Sequence, residues 1–152
     1  MKNKVIFKPA TEDDFDGILK LEEESFNLYD RLDSETLIEL FSEFREGFYT
    51  IMVNDVMIGC SVFLIEDGAG YIESIAINNL YRRRGLARQA LKFMIKCIME
   101  MGIDIINLHV RIDNRAAISL YEKEGFKREG IINDFYKDGE PAYFYSRNNK
   151  ND

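Results

Sequence analysis

Tyr81-Arg82-Arg83-Arg84-Gly85-Leu86-Ala87-Arg88 stands between a strand-like run, Tyr71 to Ile77, and an amphipathic helical pattern. That helix begins near Gly85, carries Ala87, Leu91, Met94, Ile95 and Ile98 on one face, and stops at Gly102. A strand, a basic glycine turn and a helix in this order can form an anion cradle. The helix start offers N–H groups without intrahelical acceptors and the positive end of its dipole, and Gly85 allows close backbone approach. Four of these eight residues are arginine, in a chain whose net charge is −7. A diphosphate suits such a turn. The spacing is neither GxGxxG nor GxxxxGK(S/T), so the dinucleotide and P-loop readings lose support. Charge alone would equally fit a solvated basic turn; the strand–loop–helix context favours the cradle.

Outward from this turn the hydrophobic period alternates between strand and helix. Val5 to Lys8 reads as a strand, and Thr11 as an N-cap before Glu12, Asp13 and Asp14. Phe15, Ile18, Leu19 and Leu21 form a helical stripe up to about Phe26. A second helix after Asp33 or Ser34 carries Leu37, Ile38, Leu40, Phe41 and Phe44. Phe48 to Val53 and Val56 to Ile65 are strands joined at Asn54-Asp55, and Asp67-Gly68-Ala69-Gly70 leads into the third strand of this run. Ile103 to Ile112 is the next strand. Asn114 to Lys123 is a helix closed by Gly125. Phe126 to Asn133 and Ala142 to Tyr145 flank the hairpin signal Lys137-Asp138-Gly139-Glu140. The order β-α-α-β-β-β-α-β-α-β-β predicts an α/β (mixed α+β) fold with crossover helices in the second half. Residues 1–146 are expected to form one domain, with 147–152 as a flexible tail.

The 152 residues are 46% hydrophobic and 31% charged, which supports one packed core. Twenty Lys plus Arg against 27 Asp plus Glu argues against non-specific nucleic-acid binding. No apolar run reaches the ~20 residues of a membrane span. Met1-Lys2-Asn3-Lys4 shows no signal-peptide pattern, Cys60 and Cys97 lack CxxC spacing, and one histidine excludes a His-rich metal site. A reduced, cytoplasmic protein without metal is expected. Cys60 and Cys97 read as core residues, Met94, Met99 and Met101 as gap fillers, and Glu22-Glu23-Glu24 as a solvated helix face.

The basic turn resembles the acetyl-CoA loop of the GNAT acetyltransferase superfamily, Arg/Gln-x-x-Gly-x-Gly/Ala, met here by Arg82, Gly85 and Ala87. Asn114-Arg115-Ala116-Ala117-Ile118-Ser119-Leu120-Tyr121 with Gly125-Phe126 resembles its second cofactor segment. The resemblance covers Val5 to Tyr145 and implies the GNAT fold: about seven strands, splayed at the acetyl-CoA site, and about four helices. It also implies site roles. Backbone groups around Ile75, Ala76 and Ile77 would pair with pantetheine. The Arg82 turn and the amides of Arg83, Arg84, Gly85, Leu86, Ala87 and Arg88 would hold the pyrophosphate. Asn114 and Ala117 would line the cofactor, and the Tyr121 hydroxyl would face the departing thiolate.

Within the superfamily the chain resembles the N-terminal protein (alpha-amino) acetyltransferases, including the ribosomal-protein alanine type. Leu108-His109-Val110-Arg111 and Phe135-Tyr136-Lys137-Asp138-Gly139-Glu140-Pro141-Ala142 carry that likeness, with Phe135 and Pro141 departing from the family pattern. The implied reaction is direct attack by a protein or peptide amino terminus on acetyl-CoA, with an auxiliary or ribosome-associated subunit among the partners it allows. Phe135 and Tyr136 would cover the peptide's first residues. Phe26, Leu28 and Tyr29 match a substrate-lining loop, and their apolar character suggests a hydrophobic first residue. His109, on the polar side of its strand, Tyr71 and Glu73 are the candidate bases. A histidine with pKa ~6.5 suits neutral pH better than a tyrosine at ~10. A GNAT acting on small amines or lysine, and a non-catalytic acetyl-CoA-binding regulator, are the competing readings.

Overall fold

Each change of hydrophobic period becomes a change of secondary structure in the computed structural model, which describes residues 4–151. In chain order the elements are β1 (Val5–Pro9), α1 (Phe15–Ser25), α2 (Ser34–Glu43), β2 (Phe48–Val53), β3 (Val56–Glu66) and β4 (Ala69–Ile77). They continue with α3 (Leu86–Glu100), β5 (Ile105–Arg111), α4 (Arg115–Lys123), β6 (Lys127–Ile132) and β7 (Ala142–Asn148). The seven strands form a mixed sheet in the order β1-β2-β3-β4-β5-β7-β6. The chain groups into two compact units, one built from the chain up to Phe63 with Glu73–Leu91, the other from Leu64–Ile72 with the chain from Lys92 onward.

The first unit is organised around the β2–β3 hairpin. Asn54 and Asp55 both have positive φ, 50° and 62°, the left-handed pair that matches a two-residue turn to strand twist. β1 pairs antiparallel with β2 from Val5↔Val53 to Pro9↔Tyr49. Ile18, Leu21, Leu37 and Phe41 of α1 and α2 pack with Phe48, Cys60, Val62 and Ala76. The rings of Phe15, Phe41 and Phe48 meet edge to face, at 4.9 and 5.3 Å between successive centroids. Ile51, Val53, Ile58, Ile77, Leu86 and Ala90 form a second cluster. Asp33 caps α2 by accepting the Thr36 N–H at 2.8 Å. Thr11 precedes a 3-10 turn, Glu12–Asp14, so α1 starts later than its cap signal suggests.

Two helix-face expectations are corrected. Ile38 is 56% exposed, because the buried stripe of α2 runs through Leu37 and Phe41 and one residue's rotation carries Ile38 outward; Phe44 lies just past the helix end. Glu22, expected on a solvated face, is 1% exposed. It lies four residues after Ile18 and so falls on the buried face of α1.

In the second unit, β4 and β5 run parallel, with pairs from Ala69↔Ile105 to Ile72↔Leu108. The ladder pairs four residues of each strand. From His109 to Arg111, β5 continues along β7 alone, ending at Arg111↔Ala142. The expected adjacency of the strands bearing Tyr71 and His109 is therefore present. The tail expectation is corrected: Ser146–Asn148 extend β7 against Ile105–Asn107, and buried Asn149 donates its backbone N–H to Asp104 O at 2.7 Å. Its polar composition concealed a strand whose stability comes from backbone pairing with β5. β6 forms the edge, and its residues are all exposed.

Candidate active site

The basic turn is built as an irregular, left-handed bend. Asn78 Oδ1 accepts the Leu80 N–H at 2.9 Å, and Tyr81 N–H donates to Asn78 O at 2.9 Å. Arg83 and Gly85 follow with φ of 63° and 77°. Gln89 N–H donates to Gly85 O at 3.1 Å, so the amides of Gly85, Leu86 and Ala87 have no intrahelical acceptor. A Cβ built on Gly85 would meet nothing within 4 Å. The space beside these amides is therefore open. The arginines divide their work. Arg82 Nε donates to Ile77 O at 3.0 Å and its Nη2 to Ser25 Oγ at 3.2 Å, which tethers the turn to β4 and to the end of α1. Arg84 stacks over the Tyr81 ring at 5.2 Å. Ile75 is half-buried, whereas Ala76 belongs to the core.

The second unit holds His109 and the loop expected to cover a peptide. In a parallel pair, partnered residues project to one face, so the Tyr71↔Asn107 pairing places Tyr71, Asn107 and His109 on the same side of the sheet. The half-buried His109 ring stacks on Phe135, 4.4 Å between centroids and 16° from parallel, and tilts against Phe144 at 5.3 Å. Burial lowers its pKa from the ordinary 6.5, because imidazolium loses hydration there. Neutral imidazole is the form a base requires. Glu73 is exposed on β4, in the first unit.

The 133–141 loop is longer than the tight hairpin signal implied, yet it is firmly held. Gly139 N–H donates to Tyr136 O at 2.8 Å, and Tyr136 N–H to Glu140 O at 3.1 Å. Arg111 Nη2 reaches both carboxylate oxygens of Asp138 at 3.0 Å, and its guanidinium lies over the Tyr136 ring at 4.3 Å. The same guanidinium holds the Asp138 carboxyl below its ordinary range. Phe135 and Tyr136 meet edge to face at 4.9 Å. Arg111 and Asp138 stand in the two segments that carry the family likeness, but the sequence does not show that they pair.

On α4, Asn114 Oδ1 accepts the Ala117 N–H at 3.2 Å, so this side chain caps the helix. Tyr121 packs edge to face on Phe126 at 5.9 Å. Burial pushes its hydroxyl up to about 12, which keeps the proton on Oη at neutral pH. The buried Tyr145 hydroxyl donates to Glu122 Oε2 at 2.7 Å, and Arg147 Nε donates to Glu124 O at 2.9 Å, fixing α4 to β7. In the first unit, the 26–32 connection turns on Asn27, whose Oδ1 accepts the N–H groups of Tyr29 at 2.8 Å and Asp30 at 3.1 Å. Phe26 is half-buried, and Leu28 and Tyr29 are exposed. No candidate metal cluster occurs among the described residues, and no described helix is long and apolar enough to cross a membrane.

A mixed sheet with this strand–turn–helix cradle is the frame of an acyl-CoA-dependent transferase. Residues 15–126 match the model described as the acetyltransferase (GNAT) family, and the chain belongs to that family. It is 30% identical over 151 residues to an N-alpha-acetyltransferase of Saccharolobus solfataricus, covering 91% of this chain and 89% of the relative. A Sulfolobus acidocaldarius N-alpha-acetyltransferase is 27% identical over 147 residues, covering 88% and 86%. The fold is shared with Ard1 from Thermoplasma volcanium, with a TM-score of 0.87 at 21% identity over 95% of this chain and 97% of that one. The ribosomal-protein-S18-alanine N-acetyltransferase of Escherichia coli gives 0.82 at 23% identity, covering 97% and 94%.

Proposed function

We propose that this enzyme is an N-alpha-acetyltransferase, moving acetyl from acetyl-CoA to the amino terminus of a protein or peptide. One arrangement carries the proposal: a half-buried neutral histidine stacked on Phe135, within a loop fastened by Arg111 and Asp138. A base and an aromatic cover for a peptide backbone meet in one cluster. A small amine has no backbone for that cover to grip. When bound, acetyl-CoA supplies an activated thioester. Amides from Arg83 to Arg88, with the Arg82 turn behind them, hold its diphosphate. Ile75 and Ile77 offer strand-like backbone groups; in the second unit, Asn114 and Ala117 are the cofactor positions that the resemblance implies. Tyr71 and His109 order a water that takes the proton of the α-ammonium. Glu73 stands as the alternative base. Tyr121 Oη retains a proton that it can donate to a leaving sulfur.

An α-amine with pKa ~7.7–8.0 needs less help from a base than a lysine at ~10.4, which accords with a single moderately buried histidine. Phe26, Leu28 and Tyr29 make an apolar frame suited to methionine or another hydrophobic first residue. The enzyme acts in the cytoplasm, where nascent chains present such termini, alone or with an auxiliary or ribosome-associated subunit. A peptide panel varying the first two residues, read by mass spectrometry, tests this directly. Acetylation at the α-amine is expected, strongest on hydrophobic first residues and absent from amine-blocked controls. Preferential acetylation of lysine side chains or small amines overturns the proposal.

The loop makes a separate prediction. Arg111→Ala or Asp138→Asn removes a two-point, charge-assisted contact that positions Phe135 and Tyr136. Initial-rate kinetics should show the peptide KM rising about five- to tenfold, a loss of ~1–1.4 kcal/mol, with acetyl-CoA affinity unchanged.

A further inference from the structure

None of the steps above uses the carboxylate of Glu22. Its neighbours Glu23 and Glu24 face solvent, whereas Glu22 is 1% exposed near the end of α1. Its Oε1 accepts the Ser74 hydroxyl at 2.5 Å and its Oε2 accepts the Leu32 N–H at 3.3 Å. Ser74 is itself buried on β4, between Glu73 and Ile75. Leu32 closes the connection from α1 to α2 that carries Phe26, Leu28 and Tyr29. One carboxyl group thus joins three segments: the end of α1, the far end of this connection and β4. The tip of the connection is shaped separately, by the amides gathered on Asn27.

Burying a carboxylate is costly, and an apolar side chain of similar volume would fill the space without that cost. What an apolar residue could not do is accept two hydrogen bonds from separate segments at once. Desolvation raises the Glu22 pKa, while the bonds from Ser74 and Leu32 oppose that rise.

We propose that Glu22 is a positioning residue for selection of the substrate's first residue, acting by fixing the 26–32 connection to β4. The inference rests on the N-alpha-acetyltransferase reading. It requires that the connection's order depend on the carboxylate, and that first-residue preference depend on that order.

Glu22→Met keeps a side chain of similar length but removes both acceptors, the one for the Ser74 hydroxyl and the one for the Leu32 N–H. In hydrogen exchange read by mass spectrometry, amides of residues 27–32 should exchange at least tenfold faster, while β2 and β3 keep their wild-type rates. In kinetics on the peptide panel, the ratio of kcat/KM between methionine-first and alanine-first peptides should fall at least fivefold towards unity. The acetyl-CoA Kd should stay within twofold. Ser74→Ala removes one of the two bonds and should move both readouts in the same direction by less, which keeps the test available if Glu22→Met folds poorly. Unchanged exchange over 27–32, or an unchanged first-residue ratio in a folded variant, overturns the proposal. An equal loss of activity on every peptide also overturns it, because that is the signature of general damage. If the wild-type enzyme acetylates no α-amine, the underlying reading fails and the selection role falls with it; the exchange data then report separately whether Glu22 anchors the connection.

Discussion

The double variant His109→Ala, Tyr71→Phe is expected to lower kcat by two to four orders of magnitude, the span of ~10²–10⁴ typical of general acid–base catalysis. His109→Ala alone should account for most of this loss. Tyr71→Phe should contribute a smaller part, because the β4–β5 register places both residues on one face and a shared water would lose only one of its partners. Acetyl-CoA affinity should not change. The pH dependence follows from the direction of the His109 shift. Burial lowers its pKa beneath 6.5, so the ring stays neutral at pH 7 and protonates only in more acidic solution. The wild-type kcat profile should therefore carry an acid limb below 6.5, and His109→Ala should remove it. In kcat/KM, the peptide's own α-amine adds a second limb at ~7.7–8.0, which the substitution should leave in place. Near-complete activity in the double variant would refute this assignment and pass base duty to Glu73 or to bulk water.

Gly85→Val should raise the acetyl-CoA Kd by about two orders of magnitude or more. Its φ of 77° lies in the left-handed region, where a side chain costs ~1–2 kcal/mol, and a β-branched one is worse still. The empty space around a Cβ there means that the substitution clashes with nothing in the protein, so the fold should survive. The branched side chain would instead occupy the space in which a diphosphate meets the amides. Losing two charge-assisted N–H contacts at ~1.5–3 kcal/mol each is enough for the expected effect. Arg83→Ala should be far milder, a few-fold at most, because exposed single charges are worth ~0–1 kcal/mol in water. Titration calorimetry checks both. Unchanged affinity in a folded Gly85→Val protein would remove the main-chain cradle from the account.

The bend at Gly85 was legible in the sequence, because its ingredients are local: a glycine at a left-handed position, a helix start and a preceding strand. Asn54-Asp55 and Asp67-Gly68 were legible as turns for the same reason, since positive φ is written into residue type. Glu22 was not. Three consecutive glutamates look alike along the chain, and only the rotation of α1 separates the buried one from its solvated neighbours. The pairing of Arg111 with Asp138 was equally hidden, since the two stand 27 positions apart and are joined only once the 133–141 loop folds back over β5.

The sequence by itself determined the element order, the turn chemistry, the left-handed basic bend and the face of β5 that carries His109. These follow from steric limits on φ and from hydrophobic period, which act over a few residues. Tertiary structure alone decided which polar groups are buried, that His109 is stacked and kept neutral, and that the polar tail completes the sheet as part of β7. Burial and pairing depend on partners distant in the chain, and the free energy of a charge or an unpaired backbone group is set by whatever those partners leave in place of water.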